Sequence, residues 1–433
     1  MINILIILVG KFISKFNKIF NLGNGSTWPG HIALKLNKNF IKQTIGSKTK
    51  VVLVAGTNGK TTTSALVSHI LKENGFSIIQ NKSGANLLNG TASAIIQGIK
   101  PFSLKTDQDY LILEVDENNL PLLINQANPS YIIALDLFRD QLDRYGEIDS
   151  IIKKWKDAFG KLSGNTTLIL NADDPQVSYL GKNLKSRILY FGLNENEQEI
   201  IEHGADSIFC PKCQHLLDYK SITFSHLGNW FCANCSEKRP DLDISNFEIY
   251  PIPGTYNKYN TLAAILLATD QKLPKKLITE TLKSFKPAFG RQEEFNVDGK
   301  KVKIFLSKNP TSFNESLSTI SDLKADNILI ILNDMIPDGL DISWIWDTNQ
   351  EEVLSNITNI VVSGDRCFDM GLRLSYISSE FKISNLKFRI ESDLKDAISL
   401  ALEKTVQNQT LYILPTYSAM LETRKILTGK KIL

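Results

Sequence analysis

The feature that most constrains this chain is a glycine-rich turn, G-T-N-G-K-T-T at residues 56–62, which follows an apolar run at 51–55. A helix pattern begins directly after the turn. In a strand–turn–helix of this kind, backbone N–H groups surround an anion, and the lysine and the helix N-terminus add positive charge. A hydroxyl next to the lysine is suited to hold Mg²⁺ on the phosphates. The sequence therefore predicts a site for nucleotide phosphates.

The turn differs from a strict P-loop in one respect. The P-loop spacing places a glycine at position 54, where this chain has Val54. The turn is therefore a shorter relative of the P-loop, with Lys60 as the point charge and Thr61 as the magnesium ligand. The residues expected to contact the nucleotide phosphates are Gly56, Thr57, Asn58, Gly59, Lys60, Thr61 and Thr62.

Apolar runs of the parallel-strand type alternate with helix patterns on both sides of this turn. This alternation predicts a doubly wound α/β domain that binds ligands at the carboxyl ends of its strands. A second alternation begins near residue 301 and predicts a smaller C-terminal α/β domain. We expect an N-terminal helical segment at 1–48, a central domain at 49–290 and a C-terminal domain at 291–433.

One of these predicted strands ends in two acids. The run D-Y-L-I-L-E-V-D at 109–116 carries Glu114 and Asp116 at its end. A carboxylate at the edge of the sheet can bind Mg²⁺ directly or through water. The residues by themselves leave both acids open, and also leave open a solvated strand end without a function.

Four of the five cysteines form two C-x-x-C pairs, Cys210 with Cys213 and Cys232 with Cys235, separated by 18 residues. Two such turns can surround Zn²⁺ with four sulfurs, so we predict a zinc ribbon inserted at about 203–240. Nucleic-acid binding by the ribbon is the alternative. It is disfavoured because the basic residues of the insert are few and the net charge of the chain is only +3.

The N-terminus is apolar at residues 2–9 and then carries Lys11, Lys15 and Lys18. A membrane span needs about 20 apolar residues, so we predict a basic amphipathic helix at 2–20. This helix either packs on its own protein or contacts a membrane surface. Cysteine pairs without a cleavable leader are typical of a reducing compartment, and we expect a cytoplasmic protein.

These motifs together resemble those of the Mur ligases and folylpolyglutamate synthases. The resemblance includes the 56–62 turn, the acid-tipped strand, N-A-D-D-P at 171–175, and the run G-T-Y-N-K-Y-N-T-L-A-A at 254–264. It implies a Mur ligase-type central domain that binds ATP and Mg²⁺. By family position, Asn257 and Asn260 lie near the adenine.

The same resemblance assigns two further roles. It implies that Arg291, in the run F-G-R, reaches the phosphates. It also implies that Glu114, rather than Asp116, binds Mg²⁺. This chain has Asp136 where some Mur-type sequences have Asn or His, and a second metal site is not predicted securely.

Other segments resemble the MurT family, the synthetase subunits of lipid II isoglutaminyl synthase. They are the cysteine ribbon, S-G-A-N at 83–86, F-R-D-Q-L-D-R-Y-G-E-I-D at 138–149 and L-N-D-M-I-P-D-G-L-D-I-S-W-I-W-D at 332–347. This resemblance implies ATP-dependent amidation of the α-carboxylate of D-glutamate in the peptidoglycan stem of lipid II. The carboxylate would be activated as an acyl phosphate, and ammonia would then give D-isoglutamine. Activity would lie at the inner face of the membrane.

The source of the ammonia is expected to be another chain. A glutaminase needs a thiolate and a histidine base, whereas the fifth cysteine, Cys367, lies in G-D-R-C-F without a glycine-flanked elbow. The resemblance implies a heterodimer with a glutamine amidotransferase subunit of the GatD kind. It places at Asp341 an aspartate that orients the catalytic histidine of the partner. A helix N-cap is the competing role for Asp341, and Asp338 is the alternative residue.

Two other functions remain open from the sequence. One is a Mur- or folylpolyglutamate-type ligase that adds an amino acid and needs no glutaminase. The other is a non-catalytic module that binds a nucleotide and zinc. The cysteine ribbon and the 332–347 segment favour the amidating subunit.

Overall fold

The computed structural model describes residues 2–20, 27–81, 84–139, 148–195, 207–287, 290–380 and 387–429. Within these ranges the chain forms two α/β units, each built on a six-stranded sheet, and a small two-stranded ribbon. Parts of the predicted motifs at 83–86 and 138–149, and of the ribbon segment at 203–240, lie outside the described residues.

The first sheet is parallel throughout, with the strand order β2-β3-β1-β4-β5-β6. Its strands are largely apolar and mostly buried, as expected for a sheet that is covered on both faces. This arrangement confirms the predicted doubly wound fold. The strands are β1 Lys50–Ala55, β2 Ile78–Gln80, β3 Tyr110–Glu114, β4 Tyr131–Ala134, β5 Thr167–Asn171 and β6 Arg187–Phe191.

Helices cover both faces of this sheet. One apolar core contains residues of α1 to α3 and α5 to α8, and the other contains residues of α4, α9 and α10. The helices are α1 Ile2–Phe20, α2 Trp28–Leu36, α3 Phe40–Thr44, α4 Lys60–Glu73, α5 Leu88–Gly98, α6 Leu120–Ala127, α7 Ile148–Phe159, α8 Pro175–Tyr179, α9 Thr255–Asp270 and α10 Lys275–Ser284.

The predicted N-terminal helix is present as α1. It packs one face against α2 and α5 and buries Ile6, Ile7 and Gly10 there. The expectation that this helix packs on its own protein is thus confirmed for that face. None of the described helices is long and apolar enough to cross a membrane.

The ribbon interrupts the first unit between β6 and α9. Its antiparallel strands are β7 Asp218–Phe224 and β8 Leu227–Phe231, and the cysteine pairs lie on either side of this hairpin. Cys210, Cys232, Leu217 and Trp230 form its small buried core.

The second sheet has the order β13-β12-β11-β14-β10-β9, and β9 alone among its described strands pairs antiparallel, with β10. The edge strands β9 and β13 were not predicted. β9 reads R-Q-E-E-F-N-V, and its largely polar residues give no apolar run to detect. The strands are β9 Arg291–Val297, β10 Lys300–Phe305, β11 Asn327–Ile331, β12 Asn359–Ser363, β13 Phe388–Ile390 and β14 Thr410–Pro415.

Helices cover this sheet on both faces too, and two separate apolar cores result. A 3₁₀-helix at Ser343–Asp347 follows β11. The α-helices are α11 Pro310–Asp322, α12 Glu351–Ser355, α13 Cys367–Glu380, α14 Leu394–Lys404 and α15 Tyr417–Thr428.

Trp155 is fully buried in α7. Its Nε1 donates a hydrogen bond of 2.8 Å to the backbone oxygen of Glu117. Trp155→Ala leaves a cavity and a carbonyl without its donor, so we expect it to lower the free energy of unfolding by about 3–5 kcal/mol. The midpoint of urea-induced unfolding measures this loss. The control is Trp28→Ala, because Trp28 is 62% exposed, and an equal shift in both variants would contradict the prediction.

Candidate active site

The glycine-rich turn joins β1 to the N-terminus of α4. Gly59 has a φ of +80°, and a Cβ atom built there would lie 2.0 Å from Oδ1 of Asn260. The left-handed backbone and the close approach of α9 both require glycine at this position. The turn thus brings its backbone N–H groups and the first residue of α4, Lys60, to the carboxyl end of the sheet.

Lys60 is held at the turn by a buried ion pair. Its ammonium group lies 2.9 Å from Oε1 of Glu117, and it also donates to the backbone oxygens of Gly56 and Thr57. The sequence analysis did not identify Glu117. This acid lies three residues beyond Glu114, in the loop after β3, where no spacing rule distinguishes it from Asp116.

Thr61 and Glu114, the two residues predicted to bind Mg²⁺, contact each other directly. The Thr61 hydroxyl donates a hydrogen bond of 2.8 Å to Oε2 of Glu114. The backbone N–H of Glu114 in turn donates to Oδ1 of Asn81 at 2.9 Å. Asp116 instead accepts a hydrogen bond from the backbone N–H of Asn118 at 3.1 Å, within its own turn. Of the two acids proposed from the sequence, Glu114 is therefore the one that contacts the turn.

Asp136 supports the first half of the turn from β4. Its carboxylate accepts a hydrogen bond of 2.8 Å from the backbone N–H of Asn58, and its backbone oxygen accepts one of 2.9 Å from Thr57. Desolvation in the protein interior raises the pKa of Asp136 to about 7, and the nearby Asp174 carboxylate adds to this rise. Asp136 thus holds the backbone of the turn.

A cavity adjoins the turn at Asn58, Gly59 and Thr62. Its other walls come from α9, from the ribbon and from the second unit. Asn257 and Asn260 both line it and are joined by a hydrogen bond of 3.2 Å. Apolar walls with a few convergent polar groups are typical of a site for a small molecule.

Two buried nitrogen atoms at this cavity have no hydrogen-bond partner among the described residues. They are Nε of Arg291 and Nδ2 of Asn58. Buried donors are normally paired, so these two fit a ligand that offers acceptor oxygens. ATP is such a ligand, and the residues present fit it.

A second cavity adjoins the turn at Thr57, Lys60 and Thr61. Glu114 also lines it from the first unit, and Lys308 and Tyr417 line it from the second. Arg291, the first residue of β9, borders both cavities. The turn therefore borders both cavities through different residues.

The four predicted metal-binding cysteines come together. The Sγ atoms of Cys210 and Cys235 are 3.6 Å apart, and those of Cys213 and Cys232 are 3.5 Å apart. All four lie within 4.8 Å of one another. Four sulfurs at about 2.3 Å from a tetrahedral zinc ion have similar separations, so the cluster fits such a metal.

The ribbon also contributes to the first cavity, which the sequence analysis missed. Phe224 and Leu227, at the tip of the β7–β8 hairpin, line its wall. The hairpin is fixed there by Trp230, whose Nε1 donates a hydrogen bond of 3.0 Å to the backbone oxygen of Ala172. No local sequence pattern predicts this contact, because it joins residues 58 positions apart.

The acids of N-A-D-D-P are fully buried and bind other parts of the protein. Asp173 accepts hydrogen bonds from the Tyr259 hydroxyl at 2.6 Å and from Arg239 at 2.9 Å, and burial raises its pKa to about 6. Asp174 caps α8 and accepts from the backbone N–H of Leu137 at 2.9 Å. These acids join the ribbon and α9 to the end of the sheet.

The two candidate aspartates after β11 differ in their surroundings. Asp338 is buried and accepts hydrogen bonds from the backbone N–H and the hydroxyl of Ser418, and burial raises its pKa. Asp341 is exposed and accepts a hydrogen bond of 2.8 Å from the backbone N–H of Ser343, and hydrogen bonding by Ser343 lowers its pKa. Asp341 lines neither of the two cavities and is open to contact by another protein.

Cys367 is buried at the start of α13, within the apolar core of the second unit. Burial raises the pKa of its thiol. These are the properties of a packing residue and not of a nucleophile.

Comparisons with known proteins identify both halves of the chain. The Mur ligase middle domain family matches residues 54–268, and the MurT ligase C-terminal family matches residues 306–420. Among solved structures, a pseudomurein peptide ligase type C from Methanothermus fervidus superposes with a TM-score of 0.65 at 21% identity, covering 90% of this chain and 80% of that one. The MurF ligase from Thermotoga maritima in complex with ADP superposes with a TM-score of 0.59 at 16% identity, covering 92% of this chain and 83% of that one. These superpositions show the Mur ligase fold.

A relative from Streptococcus pneumoniae is similar over almost the whole length. It is the MurT subunit of lipid II isoglutaminyl synthase (glutamine-hydrolysing). The two sequences are 33% identical over an alignment of 438 positions, which covers 95% of this chain and 94% of the relative. The chain therefore belongs to the MurT family of Mur ligase-fold proteins.

Proposed function

We propose that the chain is the ATP-using subunit of a glutamine-dependent amidating enzyme. It activates the α-carboxylate of D-glutamate in the peptidoglycan stem of lipid II as an acyl phosphate, which ammonia converts to D-isoglutamine. The observation that carries this proposal is the turn, which borders one cavity at Asn58 and a second cavity at Lys60. A nucleotide in the first cavity would place its γ-phosphate at Lys60, at the edge of the second cavity, where the substrate carboxylate would bind. Membership of the MurT family supports the choice of substrate.

The chemistry requires two displacements. A carboxylate oxygen attacks the γ-phosphorus, a new P–O bond forms, and the bond to ADP breaks. Ammonia then attacks the acyl carbon, a C–N bond forms, phosphate leaves, and the nitrogen loses a proton. Lys60, Arg291 and the N–H groups of the turn would stabilise the charge on the transferring group. Glu117 keeps the Lys60 ammonium directed at the turn.

Thr61 and Glu114 would hold Mg²⁺, which neutralises charge on the phosphates when bound. Their hydroxyl and carboxylate are neighbours of the type that this hard cation prefers, and both lie on the second cavity. The remaining oxygens of the coordination sphere would come from phosphates and water.

The choice between the two acids after β3 is testable. We expect Glu114→Gln to lower the rate of ATP-dependent amidation by about 100-fold and to raise the Mg²⁺ concentration needed for half-maximal rate. The matched control is Asp116→Asn, which should change neither quantity more than about threefold, because Asp116 bonds within its own turn. Steady-state kinetics with ammonium as the nitrogen source measures both, and a larger effect of Asp116→Asn would reverse the assignment.

Ammonia is proposed to come from a separate glutaminase of the GatD kind. The buried thiol of Cys367 is unsuited to glutamine hydrolysis. The second unit exposes large apolar side chains on the loop that carries Asp341 and on α13, where a partner could dock. These side chains are Met335, Ile336, Leu340, Trp346, Phe368, Leu372 and Tyr376.

At that surface, Asp341 is proposed to orient the catalytic histidine of the partner. An acid hydrogen-bonded to an imidazole fixes its tautomer and stabilises its cation. Asp341 suits this role better than Asp338, because the Asp338 carboxylate is buried and bound to Ser418. Asp341 is exposed, so a histidine of another chain can reach its carboxylate.

Replacing Asp341 by Asn separates the two nitrogen sources. With the partner present, we expect glutamine-dependent amidation to fall by up to about 10⁴-fold, while amidation with ammonium stays unchanged. Asp347→Asn is the matched control, because Asp347 is an exposed acid at the end of the 3₁₀-helix that follows Asp341, and it should leave both rates intact. An equal loss with both nitrogen sources would refute the role of Asp341. Ligation of a free amino acid by the chain alone would instead support an amino-acid-adding ligase.

Zinc is proposed as the metal of the cysteine cluster, and its role as support for the nucleotide cavity. Zinc would fix the two knuckles that carry the β7–β8 hairpin, whose tip residues Phe224 and Leu227 line the cavity. Loss of the metal should therefore weaken nucleotide binding even though no cysteine touches the nucleotide.

Cys235→Ser tests this link. We expect the variant to lose bound zinc, measured by mass spectrometry of the metal, and to bind ADP about tenfold more weakly in calorimetry. Cys367→Ser is the control, since Cys367 lies outside the cluster, and it should keep both the metal and the affinity. Unchanged ADP affinity in a zinc-free Cys235→Ser protein would separate the ribbon from the nucleotide cavity.

A lipid-linked substrate would also place the reaction at a membrane surface. The proposed stem peptide is attached to the bilayer, so the chain would act in the cytoplasm at the inner face of the membrane.

A further inference from the structure

One face of α1 is fixed firmly to the protein. A Cβ atom at Gly10 would lie 2.9 Å from Cγ2 of Ile96, so the helix approaches α5 closely. At one end, the Asn3 side chain donates a hydrogen bond of 2.9 Å to Gln43. Further along, the ammonium group of Lys11 donates one of 3.0 Å to the backbone oxygen of Gln97. The orientation of α1 about its own axis is therefore set.

The opposite face carries an apolar stripe, which we define as Ile2, Leu5, Val9, Phe12 and Phe16. Each of these side chains is at least 40% exposed, and Phe12 reaches 69%. Their spacing of three and four residues places them in one row along the helix. A row of large apolar side chains on the surface usually marks a contact with a partner or a membrane.

All charged side chains in the N-terminal segment that carries this stripe are basic. Residues 1–50 contain eight of the 49 basic residues of the chain and none of its 46 acidic residues. The net charge of +3 thus combines +8 in this segment with −5 in the remainder. Such a separation gives the N-terminal segment a positive field that the rest of the protein lacks.

Several of these lysines are exposed on α1 or near its start. Lys38 and Lys42 are exposed, and their neighbours Asn37 and Gln43 hydrogen-bond Asn3 at the start of the helix. Lys15 is exposed on α1 itself, three residues after Phe12 and therefore one turn along the helix. Exposed positive charge therefore accompanies the helix that carries the stripe.

The chemistry of this surface favours lipid over protein as its occupant. Lysine is depleted in protein–protein interfaces, whereas helices that lie in a membrane interface combine an apolar row with flanking lysines. Each lysine near an anionic lipid surface adds to the affinity, and here no acid within the segment opposes that attraction. Trp28, at the start of α2, is 62% exposed, and tryptophan is enriched at the level of lipid headgroups.

We propose that α1 docks the chain on an anionic bilayer, with the helix parallel to the membrane plane, the apolar stripe among the acyl chains and the lysines at the headgroups. This helix would hold the chain at the membrane, where the proposed reaction takes place. The inference depends on the helix and its charge, and not on the amidation reaction. A lipid-linked substrate would then be met by an enzyme already held at its membrane.

The test is co-sedimentation of the full-length chain with vesicles. We expect the protein to bind vesicles of equal parts phosphatidylglycerol and phosphatidylcholine, to bind phosphatidylcholine vesicles far more weakly, and to be released by high salt. Leu5→Glu/Phe12→Glu should lower the partition coefficient for the anionic vesicles by about tenfold or more. The matched control, Leu277→Glu/Val406→Glu, alters exposed apolar side chains on α10 and after α14 and should bind like the unmodified chain.

A second variant guards against misfolding. Lys38→Gln/Lys42→Gln removes two exposed charges, and we expect it to weaken binding to the anionic vesicles by several-fold while leaving the unfolding temperature unchanged. The proposal is overturned if the unmodified chain ignores anionic vesicles, or if Leu5→Glu/Phe12→Glu binds them equally well. A dimer in analytical ultracentrifugation that Leu5→Glu/Phe12→Glu dissociates, without vesicle binding, would assign the stripe to a second copy. The assay contains neither ATP nor substrate, so its failure leaves the proposed reaction standing.

Discussion

The left-handed backbone at Gly59 is the constraint on which the rest of the site depends. With any side chain there, the turn would strike Asn260 of α9, and the start of α4 could not reach the edge of the sheet. Because glycine allows the approach, Lys60 reaches Glu117 after β3 and Thr61 reaches Glu114 at the end of β3. One local backbone conformation thus assembles groups that the chain supplies from three separate segments.

Buried acids extend this assembly to the ribbon. Asp173 and Asp174 have no exposure, and their oxygens are bound by donors from α9, from the loop after β4 and from the ribbon. Buried carboxylates are stable only where they are paired, so each of these segments is held in one position. The apolar tip of the hairpin, at Phe224 and Leu227, is positioned at the nucleotide cavity as a result.

The second unit completes the site by closing it. Arg291 begins its edge strand and borders both cavities, while Lys308 and Tyr417 reach toward the turn from the same unit. The loop after β11 carries the exposed Asp341, which lines neither cavity, together with exposed apolar side chains. The same unit therefore offers groups to the site and an exposed acid that another protein can contact.

The sequence by itself determined the features whose residues are close together along the chain. These are the phosphate turn at 56–62, the cysteine pairs, the amphipathic helix α1 and the MurT family, because each follows from spacing or local pattern. The family resemblance favoured Glu114 over Asp116, and the structure shows Glu114 in contact with Thr61. Only the tertiary structure decided the pairing of Lys60 with Glu117, 57 residues away. It alone also brought the ribbon tip to the cavity. Such contacts depend on strand order and on how the units pack. Neither strand order nor packing can be predicted from the local sequence.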